Sequence, residues 1–388
     1  MGPYEALDFY HLDDLLTDDE RQVRDTVRRF GEQELLPKMA DCVNEGRFPT
    51  ECIKPLAALG LFGATLTEPG LPGTSHTAYG LAMQELERID SGIRSFASVQ
   101  SALVMYPIAT YGSAEQKARW LGPLHRGEAI GCFGLTEPNH GSDPGGMTTR
   151  AERVGDGFRL NGVKTWITNG HIAQVAVVWA KLDDEIAGFL VPTDTPGFTA
   201  NPIGGKFSMR ASATSELVLD GAAVGADAIL PGAVGLKAAL ACLSQARFGI
   251  AFGVIGAAQA CFDEARQYAL DRVQFGKPIA SFQLVQNKLV TMATEITKAQ
   301  WLAWRLGKLH DAGRAKHFHI SMAKRNNAAI ALDIARSARD ILGANGISYE
   351  YQTARHLTNL ETVYTYEGTH DIHGLIVGKE LTGIDAIS

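Results

Sequence analysis

The 388-residue sequence has no Cys-x-x-Cys pair, and its cysteine count is odd: Cys42, Cys52, Cys132, Cys242 and Cys261. That argues against a disulfide framework and points to buried free thiols in a reducing compartment. No Gly-x-Gly-x-x-Gly follows a strand-like run, which argues against a Rossmann dinucleotide site. Gly-x-x-x-x-Gly-Lys-Ser/Thr, His-Glu-x-x-His and Gly-x-Ser-x-Gly are also absent. Positive charge is short: 36 Lys and Arg against 43 Asp and Glu leave a net charge of −7, so there is no basic field for nucleic acid. No apolar run approaches the length of a membrane span, and no apolar signal core opens the chain, whose first part is acidic at Asp13, Asp14, Asp18, Asp19 and Glu20. No membrane role is expected. The expected location is a bacterial cytoplasm or, for a processed eukaryotic form, the mitochondrial matrix. His317 and His319 are two apart on a helical pattern and face different ways, while His370 and His373 lack a third ligand, so no metal site is expected.

The length predicts two or three domains. Residues 1–130 read as helical: residues 18–36 open after Thr17 with an acidic first turn, and 79–90 and 94–111 repeat the i, i+3, i+4 spacing. Residues 131–234 change character. Residues 158–168 look like a strand, an Asn161-Gly162 turn and a second strand, and 175–181, 186–191 and 216–221 read as further strands of a small sandwich or barrel. Residues 235–388 return to long helices over 243–271, 282–312 and 315–342, as in a bundle. Glycine is abundant at 41 residues, and the glycines within 248–253 imply close helix–helix approach.

The most telling segment is Tyr364-Thr365-Tyr366-Glu367-Gly368-Thr369-His370-Asp371-Ile372-His373. Gly368 exposes backbone beside a carboxylate and lets a ligand come close, which suits a base for proton abstraction. The other reading is a helix N-terminal turn, with Glu367 favoured by the macrodipole and Thr369 as cap. Residues 135–143 form a polar loop at the helix-to-β boundary, able to bind a ring edge or an anion, or simply to join domains. Trp166 lies in the β module, against a flat cofactor or in a core. Arg272 ends a helix, where it suits the dipole or a phosphate.

Together these segments, with residues 340–344, resemble the acyl-CoA dehydrogenase flavoenzymes over nearly the whole chain. The resemblance implies an α+β multi-domain fold: an N-terminal helical domain, a central β-barrel or sandwich and a C-terminal four-helix bundle. Residues 87–95, 206–212, 324–327 and 365–373 are similar to motifs of the glutaryl-CoA dehydrogenase branch. The chain departs from that branch at Ile93, Tyr364 and Ala344, and in the loop over 68–76.

What the resemblance implies is FAD-dependent α,β-dehydrogenation of glutaryl-CoA with decarboxylation to crotonyl-CoA. Glu367 is the expected base. Arg94 is expected on the distal carboxylate, with Glu87, Ser95 and Tyr366 around the acyl group and Ser142, Leu243, Ser244, Arg247 and Gly368 along the CoA arm. Phe133, Leu135, Thr136, Gly141, Ser142, Trp166, Ile167, Thr168 and Thr369 are expected at the flavin. Arg272, Gln274, Phe275, Gln283, Asp340, Gly343 and Ala344 are expected to reach FAD, several of them from a neighbouring subunit of a homotetramer. Electrons would pass to an electron-transfer flavoprotein. The alternatives are another diacyl thioester without decarboxylation, an acyl-CoA oxidase, and a flavin-binding scaffold without activity.

Overall fold

Thr17 starts the first long helix, as its acidic sequel predicts. The computed structural model describes residues 7–387, with 1–6 and 388, the ends of the first and last expected domains, outside the described residues. In it α1 spans Asp18–Phe30. The Thr17 hydroxyl accepts from Glu20 N at 3.2 Å, and the Glu20 carboxylate accepts from Thr17 N at 2.9 Å, a reciprocal capping box. A π turn, Gly31–Leu35, then leads into α2 (Leu36–Glu45), so the helix expected over 18–36 is interrupted. Helices α3 (Ile53–Ala58), α4 (His76–Ile89), α5 (Ser91–Ser98), α6 (Tyr106–Tyr111) and α7 (Ala114–His125) follow. A second π segment, Val99–Met105, joins α5 to α6. Its Gln100 side chain donates to Leu124 O and Ala129 O, both at 3.0 Å, and accepts from Gly131 N at 2.9 Å, which ties the helices to the first strand.

The β part comprises β1 (Gly131–Gly134), β2 (Arg150–Val154), β3 (Gly157–Thr168), β4 (Val175–Leu182), β5 (Glu185–Pro192), β6 (Phe198–Pro202), β7 (Thr214–Val224) and β8 (Ile229–Val234). They form one mixed sheet in the order β6-β7-β3-β2-β4-β5-β8, with β1 parallel to β4. Phe158 of β3 meets Phe189 of β5 at a ring separation of 5.2 Å although these strands are not neighbours. The sheet therefore curls over a core of its own, which includes Cys132, Leu160, Val178 and Leu219. The Asn161-Gly162 turn is not there: 157–168 is one strand, and its pairing with β7 shifts register between Leu160 and Gly162. Asn161 Oδ1 instead accepts from Gly221 N at 2.8 Å. The Asn-Gly signal fails because β2 and β7 already flank this strand on both sides, so the extra residue becomes a bulge.

The C-terminal part comprises α8 (Leu236–Asp271), a short hairpin of β9 (Val273–Gln274) and β10 (Lys277–Pro278), then α9 (Gln283–Asp311), α10 (His317–Leu342), α11 (Gln352–Thr365) and α12 (His370–Thr382). Helix α8 is the spine, packed against α4, α9, α10 and α11. It corrects one expectation: it is long and apolar enough to cross a bilayer, with a window of mean hydropathy 1.6. That window is 72% buried inside the protein, so its apolar surface has protein partners. Ala and Gly make up much of the run, which hides it in the sequence. They also bring α4 close, since a Cβ on Gly256 would lie 1.8 Å from Gln84 O. All five thiols are free and buried, Cys132 in the β core and the other four in the main core.

Candidate active site

Helices α4, α5, α8, α10 and α12 converge on the loop between α11 and α12. Glu367 lies in that loop with φ 53°, followed by Gly368 with φ 89°, two successive left-handed residues. Such a backbone is strained for a residue with a Cβ and persists only where its surroundings impose it. The Glu367 carboxylate is partly accessible, but its Oε2 is buried and has no hydrogen-bond partner. Burial raises its pKa, against the lowering effect of Arg94, Arg247 and Lys324. An unpartnered carboxylate with raised pKa has the character of a base poised for proton transfer. Thr369 caps α12, its hydroxyl accepting from Ile372 N at 3.1 Å. The helix start is where the sequence places it, capped by Thr369, and Glu367 lies just ahead of it rather than in its first turn.

Arg94 and Glu87 are both fully buried and meet at 2.7 Å, Nε to Oε2. Arg94 Nη2 also donates to the Tyr366 hydroxyl. Arg94 Nη1 and Glu87 Oε1 are buried without partners. Burial works against the Arg94 charge, but Glu87 and Tyr366 more than offset it and raise its pKa. Burial likewise pushes the Tyr366 phenol up. A buried guanidinium with one donor edge free is a ready receptor for a second carboxylate. Ser95, next to Arg94, is 2% exposed.

Arg247 Nε donates to Glu367 O at 2.7 Å, so its guanidinium base is engaged beneath the loop. Leu243 and Ser244 lie one turn earlier on α8, where the Ser244 hydroxyl donates to Leu240 O at 3.0 Å. Two groups stood in the sequence motifs without a role. Lys324 Nζ donates to Tyr366 O and Gly368 O, each at 2.9 Å. His373 Nε2 lies 3.2 Å from Glu367 O. Burial, with Lys324 and Arg247 nearby, lowers the His373 pKa to about 3. The available signal for Lys324 is a lysine at helical spacing with Ile320, Ala328 and Ala331, on a face that turns out to be buried.

A second group gathers at the helix-to-β boundary. Thr165 N donates to Thr136 O at 2.9 Å, and Lys164 Nζ donates to Leu135 O at 3.1 Å, so the loop over 135–142 runs beside the end of β3. Buried Glu137 latches it, accepting from Thr148 N at 2.6 Å, Thr149 N at 2.9 Å and Lys164 Nζ at 2.9 Å. Trp166 has φ 59° and is 62% exposed, at a register shift in β3. Thr136 and Thr168 are half-buried, and Gly141 and Ser142 are exposed. Phe133 packs on Trp179, and Ile167 is buried in the β core, where it pairs with Ser215 of β7.

The remaining candidates lie apart from Glu367 in the hydrogen-bond network. Arg272, Gln274, Phe275 and Gln283 are exposed around the β9–β10 hairpin, Phe275 at 93%. Asp340, Gly343 and Ala344 are exposed at the end of α10, and Lys288 of α9 pairs with Asp340, which joins the two halves of this strip. A cavity of about 340 Å³ between α7 and the ends of β5 and β7 contains none of these residues. Among the described residues, no three His, Cys, Asp or Glu side chains are grouped to hold a metal ion.

A three-part fold with a half-buried carboxylate on a strained loop between helices is that of the acyl-CoA dehydrogenases. The chain belongs to that family: models of the acyl-CoA dehydrogenase N-terminal, middle and C-terminal domains match residues 17–128, 132–222 and 233–382. It is 37% identical over 374 residues to the mitochondrial short-chain specific acyl-CoA dehydrogenase of Homo sapiens, across 94% of this chain and 90% of that protein. Among solved structures it is similar to glutaryl-CoA dehydrogenase from Mycobacterium smegmatis, with TM-score 0.96 and 52% identity over 97% of this chain and 98% of that one. A glutaryl-CoA dehydrogenase of the same organism in complex with FADH2 gives TM-score 0.97 and 50% identity over 98% and 99% of the two chains.

Proposed function

We propose that the protein oxidises glutaryl-CoA at its α and β carbons and releases carbon dioxide to give crotonyl-CoA. The observation that carries this reading is the buried Glu87–Arg94–Tyr366 cluster next to Glu367, in which Arg94 Nη1 has no partner. A plain fatty acyl chain gives a buried guanidinium nothing to bind, whereas a distal carboxylate does. FAD is the cofactor, and the residues fit it: the uncovered Trp166 indole beside the loop over 135–142 offers an apolar face to a flat ring, with the Thr136 and Thr168 hydroxyls alongside. When bound, FAD accepts the hydride that leaves the β-carbon.

Glu367 takes the α-proton, and the electron pair moves onto the thioester oxygen. The Glu367 N–H is the protein donor to that oxygen. In the second stage the bond to the distal carboxylate breaks, carbon dioxide departs, and its electron pair forms a dienolate. Protonated Glu367 returns the proton. Glu87 and Tyr366 border the departing carboxylate through Arg94. Electron-transfer flavoprotein is the proposed electron acceptor. The exposed strip around Phe275 and Leu284 supports a homotetramer with several flavin contacts supplied across subunits. The proposed location is a bacterial cytoplasm or, in a processed form, the mitochondrial matrix.

A second reading keeps Glu367 and Arg94 but takes another diacyl thioester without decarboxylation. Ile93 favours it: where the chain departs from the glutaryl branch, a fully buried isoleucine adjoins Arg94 in sequence. The test is anaerobic reduction of the yellow holoenzyme by glutaryl-CoA, with products identified by mass. Flavin bleaching with crotonyl-CoA supports the first reading. Bleaching with glutaconyl-CoA alone removes decarboxylation, and no bleaching removes glutaryl-CoA as substrate.

A further inference from the structure

Three successive carbonyls behind Glu367 are each held by a buried side chain. Lys324 of α10 takes Tyr366 O and Gly368 O, both at 2.9 Å; Arg247 of α8 takes Glu367 O at 2.7 Å, and His373 of α12 approaches the same oxygen at 3.2 Å. Lys324 is 1% exposed. In a planar trans peptide the N–H points opposite to the C=O. With the Tyr366 carbonyl drawn onto Lys324, the Glu367 N–H is turned away from α10, and no acceptor among the described residues meets it.

We propose that Lys324 is a positioning residue: by bridging the carbonyls on either side of Glu367 it fixes the Glu367 N–H as the donor to the thioester enolate oxygen. This rests on the reading of Glu367 as the base. Packing alone does not call for a lysine here. A buried ammonium is expensive, and a methionine of similar reach fills the same space. The charged groups that act on Lys324 are Glu367, Arg247 of α8 and Arg94 of α5. Burial lowers its pKa to about 7, and even the neutral amine keeps two N–H groups for the two carbonyls. The two left-handed residues give the loop no preference of its own for this geometry, so a clamp from outside is needed.

The test uses FAD-loaded Lys324→Met, Lys324→Gln and Glu367→Gln proteins with acetoacetyl-CoA, a thioester whose enolate is seen by its own absorbance. Titrating that absorbance against pH reports enolate stabilisation without any proton abstraction by Glu367. Lys324→Met is expected to weaken enolate binding, and to lower kcat on acyl-CoA, by about tenfold to a hundredfold with KM little changed. Lys324→Gln, whose amide NH2 keeps two N–H donors on a shorter side chain, is expected between Met and wild type. Thermal melting and flavin retention identify a variant that has merely unfolded, and in that case Lys324→Gln decides. Wild-type enolate binding and kcat in a folded Met or Gln variant overturn the proposal. Full turnover by Glu367→Gln overturns the base reading instead, and the enolate titration still judges Lys324.

Discussion

Gly253 and Glu87 compete for one space. A Cβ on Gly253 would lie 2.1 Å from Glu87 Oε2 and 3.2 Å from Arg94 Nε. The glycine in α8 is the notch that houses the ion pair. Alanine there is favoured by helix propensity by about 1 kcal/mol, yet it must push the pair aside. Gly253→Ala is expected to lower kcat/KM for glutaryl-CoA by about a hundredfold while leaving butyryl-CoA far less affected. An equal loss on both thioesters would show that the notch serves packing rather than selection.

Glu367→Gln is expected to lower kcat by about 10²–10⁴-fold, the usual contribution of a positioned base. Stability moves the other way. Burial raises the folded pKa of Glu367 above its unfolded value, so the wild type loses stability as pH rises through that raised pKa. Gln carries no such charge. Melting temperatures should be similar near pH 4 and higher for the variant near pH 8. The kcat/KM profile of the wild type should show an acid limb displaced above the ordinary carboxylate range.

Arg94→Met leaves Glu87 buried and uncompensated. Urea unfolding should show a loss of about 3–5 kcal/mol. Replacing both partners, Glu87→Met with Arg94→Met, should recover most of it, because no charge then remains to be desolvated. A double variant as unstable as the single one would mean that the loss comes from packing.

The latch at the flavin loop makes an acid prediction. Burial alone would raise the pKa of Glu137, but hydrogen bonds from Thr149 and Thr148 and the Lys164 charge outweigh it and hold it at about 2. Its stabilising contribution is present above the ordinary carboxylate pKa and is lost as pH falls through about 2. Glu137→Gln should flatten that acid limb in urea titrations and should also release FAD more readily at neutral pH. An unchanged flavin affinity would separate the latch from the cofactor.

Much of the fold was legible because its signals were local. Thr17 with Glu20 is a capping box in sequence and in space, and the long helices follow their apolar periodicity. Glu367 beside Gly368 was legible for the same reason. What the sequence hid depends on partners far along the chain. The Asn161-Gly162 pair looks like a turn until β2 and β7 are found on either side of it. Arg247 looked like a ligand for the CoA arm, and only the fold brings its Nε beneath the Glu367 carbonyl, 120 residues away. Lys324 was one letter in a motif, and its task appears only when α10 meets the loop after α11. Glu87 and Arg94 are each placed at the acyl group by resemblance, while their ion pair and the Gly253 notch on another helix that accommodates it appear only in the fold.

The five buried thiols give the molecule a built-in set of unfolding reporters. None is reachable by an alkylating reagent while the fold is closed, and they are divided between the two cores, Cys132 in one and Cys42, Cys52, Cys242 and Cys261 in the other. Labelling of Cys132 ahead of the rest would mean that the curled sheet breathes while the helices remain shut. Simultaneous labelling would mean that Gln100 and the other ties across the boundary make the two cores a single cooperative unit. The natural protein, with no introduced probe, can therefore be timed thiol by thiol as it comes apart.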